Sequence, residues 1–252
     1  MGYNWNWGIF FQVSPDGTYT YLQTMLLGTA WTLMTALTAW MLALSFGSVI
    51  GVIRTTPFPW LVRFGNAYVE FFRNIPLLVQ MFLWYFVLPE LLPREAGNWL
   101  KQLPDASFYT AVVALGFYTS ARVAEQVRAG IMSLPSGQRM AGLAVGLTLP
   151  QTYLYVLLPM AYRVVLPPLT SEFLNIIKNS AVALTIGLME LTARARAMQE
   201  FSFQVFEAFT VATVIYIIIN IIVTYGMRRI EHKVAVPGYI GSAKQVAQAP
   251  VH

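Results

Sequence analysis

Residues 22–53 read LQTMLLGTAWTLMTALTAWMLALSFGSVIGVI, and no charged residue occurs from Gly17 to Ile53. About 20 apolar residues are needed for one helix to cross a bilayer, so this run is long enough for one span but too short for two spans joined by a turn. The composition agrees, because 57% of the 252 residues are hydrophobic and only 11% are charged, about half the charged share of a soluble domain. We therefore predict an all-α integral membrane protein that works in the lipid bilayer.

Composition also argues against several classes of protein. The chain has no cysteine, which excludes disulfides and thiolate metal sites. The net charge of +5 is modest and fits basic loops on the inner side of a membrane better than a surface that binds nucleic acid. Met1 to Gln12 contains no basic residue, so we expect no signal peptide and predict an external, interfacial segment over residues 1–21.

The charged residues divide the chain into spans. We predict five, at about 22–53, 67–91, 107–134, 161–188 and 208–227. Basic residues follow the first and the last span, which places the N-terminus outside and the C-terminus in the cytoplasm, with one domain over 22–230. Arg194 and Arg196 fall in a loop that this topology makes external, against the same rule. Residues 231–252 are predicted to form a cytoplasmic tail, disordered beyond Pro237.

The second predicted span has two local features. Glu70 and Arg73 are one helical turn apart near its start, which predicts an ion pair between them. Pro76 follows and is expected to kink the helix. The residues before this span, Arg54 to Asn66, are expected to form a short basic loop.

The segment from Met140 to Tyr162 is uncharged and long enough to be a sixth span. However, Pro150 and Pro159 interrupt it, and glycine, glutamine and tyrosine dilute its hydrophobic character. Because proline ends or bends helices, we favour a short helix, a turn and a second short helix at the cytoplasmic face over a sixth span.

The sequence lacks the residues that membrane enzymes need. The only histidines, His232 and His252, lie near the C-terminus, and no H-E-x-x-H motif is present. Lys178 and Ser180 are two apart on a predicted helix, so they do not face each other as a base and a nucleophile would. We find no phosphate-binding glycine loop either. These observations predict a protein that is not an enzyme and holds neither a cofactor nor a metal ion.

The uncharged segment resembles a family pattern. Integral-membrane subunits of ABC importers carry a cytoplasmic loop of the form E-A-A-x(3)-G-x(9)-I-x-L-P, and Met140-Ala141-Gly142, Gly146 and Val156-Leu157-Leu158-Pro159 stand at these spacings. Three other stretches resemble permeases of polar amino-acid importers: 125–138, 71–78 and 177–181. The opening residues 4–10 are similar to permeases of glutamate/aspartate importers in particular. The resemblance covers nearly the whole chain, from Asn4 to about Pro237.

This resemblance implies a type I transmembrane domain with five spans in the bacterial inner membrane. It also implies a second permease subunit or a copy of this chain, a cytoplasmic ABC ATPase dimer, and a periplasmic amino-acid-binding protein as partners. Residues 138–159 would include the coupling helix that docks on the ATPase. The residues assigned to this contact are Gln138, Arg139, Ala141, Gly142, Gly146, Leu158 and Pro159. Met140 replaces the glutamate of the pattern, and Gln138 or Arg139 could supply a different polar contact.

Charged residues within spans are functional candidates, because burying a charge in lipid is costly. The predicted translocation path includes Glu172, Asn175, Lys178, Asn179, Arg122 and Glu125. Asn175 is three residues from both Glu172 and Lys178 and could join them in one network. An acidic substrate would need a cation such as Lys178, Arg122 or Arg128. The alternative is that Arg122 and Glu125 pair with each other and only hold the helices together.

We therefore predict the permease subunit of an ATP-driven importer of polar, in particular acidic, amino acids. One alternative is a secondary transporter driven by an ion gradient, although such proteins usually contain internal repeats. The other is a scaffold or signalling subunit without a transport path. The sequence leaves open which amino acid is carried, whether the two permeases are identical, and whether this subunit itself holds a substrate site.

Overall fold

The computed structural model describes residues 3–234, and the helices that form it follow one another with short connections. They are α1 (Tyr21–Ile53), α2 (Pro59–Asn74), α3 (Leu77–Leu91), α4 (Arg94–Gln102), α5 (Ala106–Met132), α6 (Ser136–Ala144), α7 (Leu149–Ile186), α8 (Leu191–Ser202) and α9 (Val205–Val234). Within these residues the only bridge of β type is an isolated one between Val13 and Thr20. The predicted all-α fold is confirmed.

Three of these helices, α1, α7 and α9, are long and apolar enough to cross a membrane, and the bent pair of α2 and α3 qualifies as a fourth span. Helix α5 covers the third predicted span, which does not meet the same criterion and stays a prediction. Its 27 residues rise about 40 Å, and the charges of Arg122, Glu125 and Arg128 lower its hydropathy. The segment 140–162 does not form a separate span, because it is divided between α6, a turn and the start of α7.

Helix α5 lies at the centre of the bundle between α1 and α7. It runs parallel to α1, because a Cβ atom added to Gly47 would lie 2.6 Å from Val123 and one added to Gly51 would lie 2.8 Å from Val127. Such contacts are possible only for glycine and bring the two helix backbones close together. Gly130 of α5 faces Val165 of α7 in the same way. Close packing of small residues thus replaces the hydrophobic effect, which is weak inside lipid.

The second span differs from its prediction in three respects. The residues predicted as a loop become helical already at Pro59, at the first turn of α2. Pro76 breaks the helix rather than kinking it, since α2 and α3 meet at 99°. The Gln80 side chain stabilises this break, because its Nε2 donates to the carbonyl oxygens of Phe72 (2.8 Å) and Ile75 (2.9 Å). The predicted Glu70–Arg73 pair does not form, because Arg73 pairs with Glu125 instead.

The fourth span is longer than predicted, because α7 begins at Leu149 and continues through Pro159. A turn of π-helix over Tyr153–Leu157 precedes this proline, and the N–H of Leu158 donates to the carbonyl oxygen of Tyr153, five residues back. The wider turn accommodates a residue that has no N–H to donate. Helix α3 uses the same device before Pro89. The predicted second short helix is therefore not separate, and Pro159 does not end it.

The segment before α1 folds across the start of α9. The backbone N–H of Asn6 donates to Glu207 at 2.7 Å, and the hydroxyl of Tyr3 also donates to this carboxylate. The ring of Trp5 stacks on Trp7 with 5.8 Å between centroids. Exposed tryptophans at the end of a span are typical of a membrane interface. The disorder predicted beyond Pro237 falls on residues outside those that the structure describes.

Candidate functional site

The segment predicted to couple to an ATPase is a hairpin of α6 and the first turns of α7. Gly146 ends α6 with a positive φ of 88°. The N–H of Gly146 donates to Leu143 at 3.1 Å and that of Leu147 to Gly142 at 3.2 Å, which is the Schellman arrangement that closes a helix. Gly142 also packs against Thr152, because an added Cβ would lie 2.8 Å from its methyl group. These two glycines fix the angle between the two arms of the hairpin.

The hairpin presents apolar side chains outward. Met140 is 67% exposed and Val145 is 78% exposed. Ala141 is also exposed, whereas Gln138 and Arg139 are half-buried. Leu158 and Pro159, which were also predicted to contact the ATPase, lie further along α7. Leu158 is half-buried and Pro159 is exposed. An exposed apolar tip outside the predicted spans is typical of a surface that binds another protein.

Glu125 is the centre of a charged cluster. Its carboxylate lies 3.0 Å from Arg54, 3.3 Å from Arg73 and 3.9 Å from Arg128. Arg54 directly follows α1, so this cluster lies at the end of the bundle where the uncharged run stops. We call this region, defined by the three arginines and Arg122, the arginine end. Since one carboxylate serves three guanidinium groups, the cluster retains positive charge.

Arg122 and Glu125 do not pair with each other. Arg122 instead lies 3.8 Å from Glu172 of α7 and donates to the Tyr118 hydroxyl at 2.7 Å. Arg122 and Glu172 line a cavity of about 450 Å³ together with Arg73, Glu125 and Gln126. The structure therefore brings three of the predicted path residues, Arg122, Glu125 and Glu172, together around one cavity at the arginine end.

Lys178 lies elsewhere and does not join Glu172. It lines a groove of about 620 Å³ against α9, where Thr213, Tyr216, Asn220, Thr224 and Arg228 also face. Steps of three and four residues place these polar groups on one stripe of a helix that is otherwise rich in isoleucine. Asn175 forms no side-chain hydrogen bond with Glu172 or Lys178 among the described residues, so the predicted network is wrong. Asn179 is half-buried at the last α-helical residue before the 3₁₀ turns that end α7.

Glu190 is a buried site that the sequence analysis did not identify. Its carboxylate accepts hydrogen bonds from the N–H of Thr192 (2.9 Å) and Ala193 (2.8 Å), from the Tyr216 hydroxyl (2.9 Å) and from the Thr32 hydroxyl (3.4 Å). Burial raises the pKa of this carboxyl above its usual value, although the hydrogen bonds act in the opposite direction. One side chain thus joins α1, α8 and α9. We call the region of Glu190 and Glu207 the carboxylate end.

A signal for Glu190 was present in the sequence. An acidic residue immediately before a polar, amphipathic segment is a typical N-cap, and the segment from Glu190 to Glu207 has this character. The stripe on α9 was visible as well, because its polar residues recur at helical spacing within an uncharged span. Neither pattern shows that Tyr216 belongs both to the polar stripe of α9 and to the donors of Glu190, since that depends on how α8 packs against α9.

Residues 43–236 match the family described as the binding-protein-dependent transport system inner membrane component. This chain belongs to that family. The matched residues include α5, the hairpin, the arginine end and the groove of Lys178. These features therefore belong to the membrane component of a transport system. The match does not favour the ion-driven transporter or the scaffold subunit considered above, and the predicted family is confirmed.

Individual relatives agree with this assignment. The glutamate/aspartate import permease protein GltJ of Escherichia coli K12 is 48% identical over 244 residues, which is 96% of this chain and 99% of the relative. The probable glutamine ABC transporter permease protein GlnM of Bacillus subtilis is 36% identical over 74% of this chain and 82% of its own length. The relatives are thus matched over most of their length.

Solved structures show the same fold. A crystal structure of an amino acid ABC transporter with histidines is similar with a TM-score of 0.71 and 28% identity, over 84% of this chain and 95% of that chain. The methionine ABC transporter MetNI in an inward-facing conformation gives a TM-score of 0.72 over 89% of this chain and all of that chain, at 20% identity. This chain therefore shares its overall fold with chains of solved ABC transporters.

Proposed function

We propose that this chain is the permease subunit of an ATP-driven importer of acidic amino acids, and that it hydrolyses nothing itself. The observation that carries this proposal is the α6–α7 hairpin with its exposed Met140 and Val145. A separate cytoplasmic ABC ATPase dimer binds this tip and supplies the energy. The similarity to a relative named as a glutamate/aspartate import permease supports the choice of substrate.

Two further partners follow from the family. A periplasmic binding protein delivers the amino acid, and a second permease subunit, identical or homologous, faces this chain. The N-terminus is then outside and the C-terminus is in the cytoplasm, so that the hairpin and the arginine end face the cytoplasm. Arg228, Arg229 and Lys233 at the end of α9 support this orientation by the positive-inside rule.

The translocation path is the groove between Lys178 and the polar stripe of α9. A lysine ammonium and several hydroxyl and amide groups on one face of a span would be costly against lipid, so they line a path that contains water or substrate. Lys178 forms no ion pair among the described residues, so its charge is available for a substrate carboxylate. Closure of the ATPase dimer pulls on the hairpin and rocks α7, which carries Lys178, against α9.

The test compares the wild type with Val145→Asp, co-expressed with the ATPase of the same transport system. A carboxylate at the centre of an apolar contact is desolvated on binding, so we expect at least about tenfold less ATPase to co-purify. Val13→Asp is the matched control, because Val13 is 61% exposed in the segment before α1. If Val145→Asp retains as much ATPase as Val13→Asp, the coupling role of the hairpin is wrong.

The substrate is tested with the same complexes in proteoliposomes. We expect ATP-dependent uptake of radiolabelled glutamate and aspartate to exceed that of glutamine and histidine. Lys178→Gln should raise the KM for glutamate about tenfold or more while leaving ATPase retention intact, and Lys178→Arg should restore part of the affinity. Equal uptake of all four amino acids would contradict the acidic substrate, and an unchanged KM would remove Lys178 from the path.

A further inference from the structure

A second cavity lies at the arginine end, beside the proposed ATPase contact. It has a volume of about 670 Å³ and lies between the end of α1, the end of α5 and one face of α6. Arg54, Arg128 and Arg139 line it together with Thr55, Thr56 and Ser136, and no acidic residue does. A pocket with this lining attracts an anion.

The nearby charges do not neutralise these arginines. Glu125 is the carboxylate that contacts Arg54 and Arg128, and it is shared with Arg73 as a third partner. Arg139 forms no ion pair among the described residues. The formal charge of Arg54, Arg73, Arg128, Arg139 and Glu125 together is +3. This excess of positive charge favours an anion that can accept several hydrogen bonds.

Arg54 gives the strongest indication of a missing ligand. Its side chain is only 6% exposed. Nε donates to Asn66 at 2.8 Å and Nη2 donates to Glu125 at 3.0 Å, but Nη1 is buried and has no partner among the described residues. Buried guanidinium N–H groups are nearly always hydrogen-bonded. Arg54 lines the cavity, so an anion bound there would add a charge-assisted partner to a guanidinium group whose hydrogen bonds are incomplete.

The N-terminus of α6 contributes a second feature of the same sign. This nine-residue helix begins after Pro135, which offers no side chain to cap it, and its first turn contains no acidic residue. Pro135 and Ser136 both line the cavity. The free N–H groups and the positive end of the helix dipole therefore favour an anion at this position.

We propose that this cavity binds a phosphate group, supplied by the headgroup of an anionic phospholipid. Guanidinium groups match phosphate because they donate two parallel hydrogen bonds. The position favours a lipid, because Arg54 directly follows the uncharged run of α1 and so lies where the bilayer core ends. Met132 is an apolar, 66% exposed residue of the lining, which suits the first carbons of an acyl chain. This site is separate from the proposed substrate groove and adjoins the proposed ATPase contact, because Arg139 and Met140 also line the cavity.

The experiment is native mass spectrometry of the full-length chain, purified in a neutral detergent and titrated with dioleoyl phosphatidylglycerol. The test variant carries Arg128→Gln and Arg139→Gln, and both side chains are accessible enough for the protein to fold without them. The control is Arg163→Gln, an exposed arginine of α7 that does not line the cavity. We expect affinity to fall about fivefold for each arginine removed and about 25-fold for both, with no change in the control. Equilibrium dialysis with radiolabelled inorganic phosphate runs in parallel.

The outcomes separate the possible sources of the anion. Saturable phosphatidylglycerol binding that the double variant loses supports the proposal, whereas saturable binding of inorganic phosphate alone keeps the phosphate site and removes the lipid. Equal lipid binding by the wild type and the double variant would overturn it, and so would an equal loss in Arg163→Gln, which would indicate unspecific attraction. If the lipid is displaced when the ATPase binds and is absent from the complex, a carboxylate of the ATPase fills the cavity and the proposal is wrong.

Discussion

The two ends of the bundle hold their buried charges in opposite ways. At the carboxylate end, Glu190 is completely buried, and its donors among the described residues are neutral: two backbone N–H groups and two hydroxyls. At the arginine end, Glu125 is 31% exposed and forms ion pairs with three guanidinium groups, two of which donate hydrogen bonds to it. The first arrangement surrounds one anion with short, fixed donors, and the second leaves several cations competing for one anion.

This difference indicates how each end behaves during transport. The two backbone N–H groups that donate to Glu190 are fixed in the first turn of α8, so we expect Glu190 to hold α8 against α1 and α9 as these helices move. Long arginine side chains can exchange partners, and an excess of positive charge means that no single arrangement is complete. We expect the carboxylate end to move as a body and the arginine end to rearrange.

Removal of the Glu190 side chain should have the largest effect. Glu190→Ala removes the N-cap of α8 and leaves the N–H groups of Thr192 and Ala193 without their acceptor, so we expect a loss of roughly 3 kcal/mol in the free energy of unfolding. Thermal denaturation in detergent micelles measures it. The control is Glu200→Ala on the same helix, whose pair with Arg196 is exposed and should cost at most about 0.5 kcal/mol. Equal losses in both variants would contradict the contrast between the two ends.

Neutralising Glu125 should have a smaller effect. Glu125→Gln keeps the shape of the side chain but leaves Arg54 buried without its anion, and we expect a loss of about 2 kcal/mol because the carboxylate itself is partly solvated. The matched control is Glu90→Gln, which breaks the exposed pair with Lys101 and should change stability by about 0.5 kcal/mol or less. The same denaturation measurement applies. If the two glutamine variants have the same melting temperature, Glu125 does not stabilise the buried guanidinium group of Arg54.

The smallest expected change is in the free energy of unfolding as Glu190 titrates with pH. Burial raises the pKa of Glu190 above 4.5, so between 4.5 and the folded-state pKa the folded protein binds more protons than the unfolded chain. The free energy of unfolding must then fall as the pH rises through this interval and become constant above it, by at most about 1.4 kcal/mol per pH unit. The difference between the wild type and Glu190→Gln isolates this contribution. A difference that increases with pH would show that the hydrogen bonds outweigh burial.

Much of the fold could be predicted from the sequence, because spans are set by local hydropathy. The uncharged run of α1 and the limits of α5 correspond to the structure within a few residues. The prolines were harder to interpret. Pro76 breaks its helix at 99°, whereas Pro159 is absorbed by a π turn in a continuous helix. The difference depends on whether a side chain such as Gln80 is present to bind the freed carbonyls, which single-residue propensities do not include.

Side-chain partners were predicted least well. Three interactions were considered from the sequence, each between residues that are near one another in the chain: the predicted pair of Glu70 with Arg73, the alternative pair of Arg122 with Glu125, and a possible network of Asn175 with Glu172 and Lys178. The structure replaces the first two by pairs between different helices, Arg73 with Glu125 and Arg122 with Glu172, and does not form the third. Spacing along one helix shows which residues share a face, but it does not show which neighbour that face meets.

The amino-acid sequence was sufficient to predict that this protein crosses the membrane with α-helices and that residues 140–159 carry the pattern of an importer permease. These properties depend on hydropathy, spacing and residue type, all of which are local. Only the tertiary structure decided that Glu190 joins three helices, that Glu125 serves three arginines, and that Lys178 faces the stripe of α9. Each of these depends on the register and angle at which helices pack, and glycines such as Gly47 set that packing through contacts with residues far away in the chain.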